Sequence, residues 1–137
     1  MGYLQDLKAT LEARTKDERI IKGVLEHLVV VMRSAFVSRQ ADERWWRKDD
    51  AGTFRAAGHF DDAVTFNSTG RACVALDFRM DALEHERRAV RMSIERKGDG
   101  FSVTVEMKDP IQVPVNPMPE DCNKFAALVF EAAKARL

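Results

Sequence analysis

The stretch RRAVRMSIERKGDGFSVTVEM, residues 87–107, decides the fold. Val90, Met92 and Ile94 alternate with Arg91, Ser93 and Glu95, and beyond a turn at KGDG (97–100) Phe101, Val103, Val105 and Met107 alternate with polar residues. Successive side chains of a strand point to opposite faces, so this period puts every apolar group on one side. Two such runs joined by a glycine turn predict a hairpin. Strands that are apolar on one face belong in an antiparallel sheet whose inner side is covered by helices.

The same texture extends upstream. RACVALDFRM (71–80) places Val74, Leu76, Phe78 and Met80 on one face, and NSTG (67–70) reads as the turn before it. TFRAAGHF (53–60) alternates Phe54, Ala56, Gly58 and Phe60 against Arg55, Ala57 and His59, and a turn at Asp61 and Asp62 leads into AVTF (63–66). Downstream, DPIQVPVNPMP (109–119) carries all four prolines of the chain. Proline cannot donate to a sheet ladder, so this segment is excluded as an inner strand and is expected to run extended along the surface. Pro119, Glu120 and Asp121 suit the first turn of a last helix, docked by Phe125, Leu128, Val129 and Ala132.

Toward the N-terminus the period changes to that of a helix. Leu4, Leu7 and Leu11 predict a short amphipathic helix over 3–13, and Thr15 with Glu18 reads as a capping box that starts a second, longer one. Its stripe of Ile20, Ile21, Val24, Leu25, Leu28, Val31, Met32, Ala35 and Phe36 is widened by LVVVM (28–32) until it is apolar all round. Such a segment needs cover on more than one side, from the first helix, the sheet or a second subunit. Leu28, Val29, Val30 and Met32 are therefore the expected contact of a homodimer. A helix running on from Lys16 to Arg47 would be about 48 Å long, against a domain diameter of about 35–40 Å. It must break near Ser38 or overhang the domain.

The predicted architecture is a single α+β domain over residues 1–137. It has two N-terminal helices, one long, an antiparallel sheet of about five strands in a meander, and a C-terminal helix packed on the inner face.

With 45% hydrophobic and 32% charged residues the chain has an ordinary globular balance. Lys plus Arg (22) equals Asp plus Glu (22), so no net field draws it to nucleic acid or to an anionic membrane. Apolar runs such as Leu28–Met32 are too short to span a bilayer, and the start lacks a signal-peptide pattern, so a cytoplasmic location is expected. Cys73 and Cys122 read as free thiols without metal-ligand spacing.

Little in the chain points to chemistry. His59 and Asp61, in HFDD (59–62), would share the outer face of a strand but lack a third ligand, which makes them weak metal candidates. EHE (84–86) is expected to close a turn, His27 flanks the apolar helix, and Cys122 is expected to pack rather than react. With no nucleophile motif, phosphate loop or dinucleotide fingerprint, no catalytic residue and no cofactor are assigned.

The binding candidates centre on ADERWWRKDD (41–50), which holds both tryptophans. Read as helix, Trp45 and Trp46 lie about 100° apart and cannot both face one core. Arg44, Trp45, Trp46 and Arg47 are the expected anchor for another protein, since tryptophan and arginine most often carry interface energy. In another reading both rings clamp the helix onto the sheet. In a third they stack on single-stranded nucleic acid, although residues 39–55 hold five basic residues against four acidic ones, which limits counterion release. A fourth puts a small molecule between sheet and helices, where Gly58 and the alanines leave room. The anchor and the apolar helix together point to an adaptor-like or chaperone-like, non-enzymatic domain that binds another protein or itself. Small bacterial secretion chaperones offer a fold-level analogy, being also α+β dimers with helices on a twisted sheet; they tend to be acidic and this chain is neutral, so the analogy gives a class of behaviour and no identity.

Overall fold

A computed structural model of the chain describes residues 2–80 and 88–137; the EHE turn expected at 84–86 lies outside them. A long helix α1 (Tyr3–Phe36) leads through a short 3-10 turn to strands β1 (Glu43–Lys48) and β2 (Phe54–Ala57). A single helical turn α2 (Phe60–Ala63) follows, then β3 (Thr65–Phe66), β4 (Ala72–Phe78), β5 (Val90–Lys97), β6 (Gly100–Val105), β7 (Ile111–Val113) and α3 (Pro119–Ala135). The strands form one antiparallel sheet in the order β2-β1-β4-β5-β6-β7, with β3 pairing the remaining part of β4's edge.

The β5–β6 hairpin has the register expected of the alternation, with Met92 opposite Val105 and Ile94 opposite Val103. Gly98 supplies the positive φ of its turn (62°). Val74, Leu76, Val90, Met92, Ile94, Phe101, Val103 and Val105 are buried in one cluster with Ile21, Leu25, Leu28 and Met32 of α1 and Phe125 and Val129 of α3. The α+β class, the long N-terminal helix and the C-terminal helix against the sheet are thus all present. Pro119 opens α3, where its missing N–H costs nothing, and the Asp121 carboxylate accepts a hydrogen bond from Met118 N at 2.9 Å. After β3 Asn67 closes the β3–β4 loop, its side-chain oxygen accepting from the backbone N–H of Thr69 and Arg71.

Four local expectations change. The two N-terminal helices are one, because Thr15 keeps helical geometry and no proline interrupts residues 3–36. That helix ends before the tryptophans rather than at Arg47. Val37 takes the left-handed conformation (φ 52°) there, and the N–H groups of Val37 and Ser38 bond back to Ser34 O and Arg33 O. Phe60–Ala63 form a helical turn rather than a strand end, which buries Phe60 and Ala63, three residues apart, together. The sheet has seven strands instead of about five, because ERWWRK joins it as β1 and the proline-flanked IQV as the edge strand β7.

Two backbone positions give opposite stability predictions. A Cβ on Gly100 would lie 2.6 Å from Val113 O, where β7 pairs with β6. Gly100→Ala is therefore expected to cost about 1–3 kcal/mol despite the lower entropy of its unfolded chain. An unchanged urea midpoint would contradict the close approach. Val37 is a branched residue in a left-handed site, with its side chain 93% exposed. Val37→Gly is expected to gain about 1 kcal/mol, read as a higher thermal midpoint; a fall would show that the side chain packs.

Candidate functional site

β1 alternates its side chains between two enclosed faces of the sheet. Glu43 and Trp45 point to the core side, and Arg44 and Trp46 to the other, consistent with their partners Phe78, Leu76, Asp77 and Ala75 on β4. On the core side the Trp45 ring meets Phe60 edge-on, with centroids 5.0 Å apart. Its indole N–H donates to Glu43 Oε1 at 3.1 Å, and the same carboxylate takes both arms of the Arg33 guanidinium, at 2.6 and 2.8 Å. This pairing holds the Arg33 pKa above its ordinary value, first through the hydrogen bond from the guanidinium to Glu43.

The opposite face repeats the arrangement with other residues. Trp46 packs with Phe54, Ala75 and Ala89 in a small second cluster. Its indole donates to Asp77 Oδ1 at 3.0 Å, and Asp77 takes the Arg44 guanidinium at 3.2 and 2.8 Å. Arg44 and Asp77 are 5% and 2% exposed, so the pair is out of water. Each tryptophan therefore has an arginine-bound carboxylate as its hydrogen-bond partner, one set on each side of the sheet.

Of the expected protein anchor, Arg44, Trp45 and Trp46 are thus enclosed within the domain, and only Arg47 is exposed, reaching Asp62 O at 3.5 Å. Leu28, Val29 and Met32 of the expected dimer contact are buried by the chain itself. Val30 alone of that set stays at the surface, 50% exposed. His59 and Asp61 are exposed at α2, and Asp61 pairs with Lys22 at 3.6 Å. Among the described residues no group of three or more His, Cys, Asp or Glu side chains is placed to hold a metal.

The outer face of the sheet carries compensated charge. Arg71 pairs with Glu95 at 3.1 Å, and Arg91 lies over the Phe54 ring at 4.9 Å. Glu106 takes Arg136 through two hydrogen bonds at 2.6 and 2.8 Å, which raises the Arg136 pKa. A polar cleft of about 820 Å³ opens between the β1–β2 turn and the β3–β4 loop, with Asp49, Asp50, Asn67 and Cys73 in its lining. Asp49 is held below the ordinary carboxylate range by its hydrogen bond from Arg55 and by backbone N–H donors. Among the described residues no histidine lines this cleft beside Cys73.

An open apolar surface lies elsewhere. Every residue from 2 to 14 is exposed, including Tyr3 at 90% and Leu4, Leu7 and Leu11 at 63%, 66% and 63%. These leucines continue the stripe that Ile21, Leu25, Leu28 and Met32 bury against the sheet, with spacings that alternate between three and four residues. Arg14 and Glu18, paired at 3.3 Å, occupy the stripe where the helix leaves the sheet. Arg14 also reaches Asn67 O, and Asp17 reaches Arg96 at 2.7 Å. Beyond these tethers the helix is an arm. At the opposite end of α1 an apolar groove of about 340 Å³ is lined by Ala35, Phe36, Asn123, Ala126, Ala127 and Phe130. The spacing of Leu4, Leu7 and Leu11 predicts an apolar face but not that the domain leaves it uncovered.

Two outcomes test this geometry. Removing the Asp77 carboxylate takes away its buried ion pair with Arg44 and the acceptor of the Trp46 indole, so Asp77→Ala is expected to cost about 3–5 kcal/mol in chemical unfolding; a loss below about 1 kcal/mol would mean an exposed pair. Burial, and then the Asp121 charge, push the Cys122 thiol up. Native protein at pH 8 should therefore leave Cys122 unalkylated by iodoacetamide until it unfolds, and labelling at the rate of a free thiol would refute that packing.

No helix among the described residues is long and apolar enough to cross a membrane. Comparisons with protein-family models, with curated proteins and with solved structures found no match to this chain.

Proposed function

We propose that this protein acts by binding protein chains, itself included, through an apolar helical surface, as an adaptor-like or chaperone-like domain without chemistry of its own. The observation that carries this reading is the arm of α1, whose Tyr3, Leu4, Leu7 and Leu11 stand open to solvent. An isolated helix of about 12–15 residues is marginal in water, so an uncovered leucine stripe gains stability from a surface that accepts it. Amphipathic helices of this kind dock in apolar grooves by residues three and four positions apart.

Protein is favoured over single-stranded nucleic acid by the same geometry. Both indoles are enclosed and hydrogen-bonded to carboxylates, so neither ring is free to stack on a base. Arg44 is occupied by Asp77, Arg55 by Asp49 and Arg71 by Glu95.

A photo-crosslinking residue placed at Leu7, and for comparison at the exposed Lys108, tests the reading in cells that express the protein. Discrete protein adducts at position 7 that are missing at position 108 are expected. Adducts no stronger than at position 108, or adducts to nucleic acid alone, would overturn it.

A further inference from the structure

We infer that the surface receiving the arm is the apolar groove of a second copy of this chain, so that residues 3–11 of each protomer lie between the C-terminal end of α1 and α3 of its partner. This inference rests on the protein-binding reading above and names the partner.

The groove has the form a helix needs. Ala126 and Ala127 are small, which leaves a trough, and Phe130 stands 51% exposed beside it. Phe36 is fixed at the trough by stacking on Phe78 at 5.0 Å and by a tilted contact with Phe130 at 6.1 Å. The arm offers the complementary relief, three leucines and a tyrosine that are 63–90% exposed. Its charges balance, Asp6 and Glu12 against Lys8 and Arg14, and the whole chain is neutral. Nothing in the arm selects an acidic or a basic partner, and no net charge keeps two copies apart.

The two surfaces cannot meet within one chain. Leu7 and Phe36 lie on the same unbroken helix, and at about 1.5 Å per residue they are roughly 43 Å apart. The contact must form between copies. Because arm and groove sit at opposite ends of α1, a two-fold axis that sets two α1 helices antiparallel lets both contacts form in one closed dimer. Exposed patches of this kind measure about 300–600 Å². With two contacts per dimer, the area approaches the roughly 800 Å² per partner of a specific interface.

The test uses a Cys73→Ser background, in which the remaining Cys122 is buried. Leu7→Cys and Ala127→Cys are introduced in separate preparations, which are oxidised alone and after mixing. The expected result is a disulfide-linked dimer in the mixture and little in either preparation alone. Linkage of Leu7→Cys protein to itself would place arm against arm and overturn the inference, as would its absence from the mixture. Sedimentation velocity gives a second readout: Leu7→Asp with Leu11→Asp should reduce the sedimenting mass from two chains to one while far-UV circular dichroism still reports a folded chain, and the concentration dependence of the parent's melting temperature should vanish. A parent protein that sediments as one chain across the concentration series would refute the dimer. If the crosslinker at position 7 still captured a different protein, the binding reading would survive while this inference fell.

Discussion

The structure depends on a strand that is buried on both faces while carrying charged side chains toward each. β1 resolves this conflict by pairing each charge before burying it: Glu43 with Arg33 on the core side, Arg44 with Asp77 on the other. Such pairs add little net stability against an apolar alternative, because taking two ions out of water offsets most of their attraction. Their effect is on register. A slip of one residue would turn Glu43 and Trp45 away from Arg33 and Phe60, and Arg44 and Trp46 toward the core, leaving two carboxylates and two guanidinia unmatched. The indole N–H groups add a second condition, since each requires the carboxylate on its own face. One short strand therefore sets how the end of α1 meets the sheet, how β4 lies beside it, and where the small cluster around Phe54 and Ala75 can form.

Fixing that end of α1 determines what happens at the other. Once Arg33 is held by Glu43 and the stripe from Ile21 to Met32 is packed, the direction of the helix is set and its first turns run past the sheet. Polar tethers at Arg14 and Asp17 mark the boundary. Beyond it the leucine stripe persists without a surface to cover it. The same physical requirement that buries the second half of the stripe then acts on the first half from outside the chain.

How much of this is legible in the sequence follows from which residues decide locally. The alternation from Val90 to Val105 leaves no competing reading, so the hairpin, the antiparallel sheet and its inner face follow from it directly. Pro119 and Asp121 place the start of α3 in the same way. ERWWRK is different. Its charges suit a helix flank, and an alternation of E-W against R-W is invisible to a pattern that sorts residues only into apolar and polar. Tertiary pairing with Arg33 and with Asp77, which lies 33 positions from Arg44, makes it a strand. Thr15 and Glu18 match a capping box in spacing, yet a helix already under way has no unsatisfied N–H groups to cap. The open arm depends on how far the sheet extends beneath α1, and no local pattern encodes that.

The most direct measurement of the two-faced burial of β1 is the tryptophan emission of the native protein with acrylamide quenching, because both fluorophores of the chain lie on that strand. A blue-shifted spectrum with slow quenching of the whole signal is the expected result. A red-shifted spectrum, or half of the intensity quenched at the rate of a free indole, would contradict the enclosure of Trp45 and Trp46 and the register that depends on it.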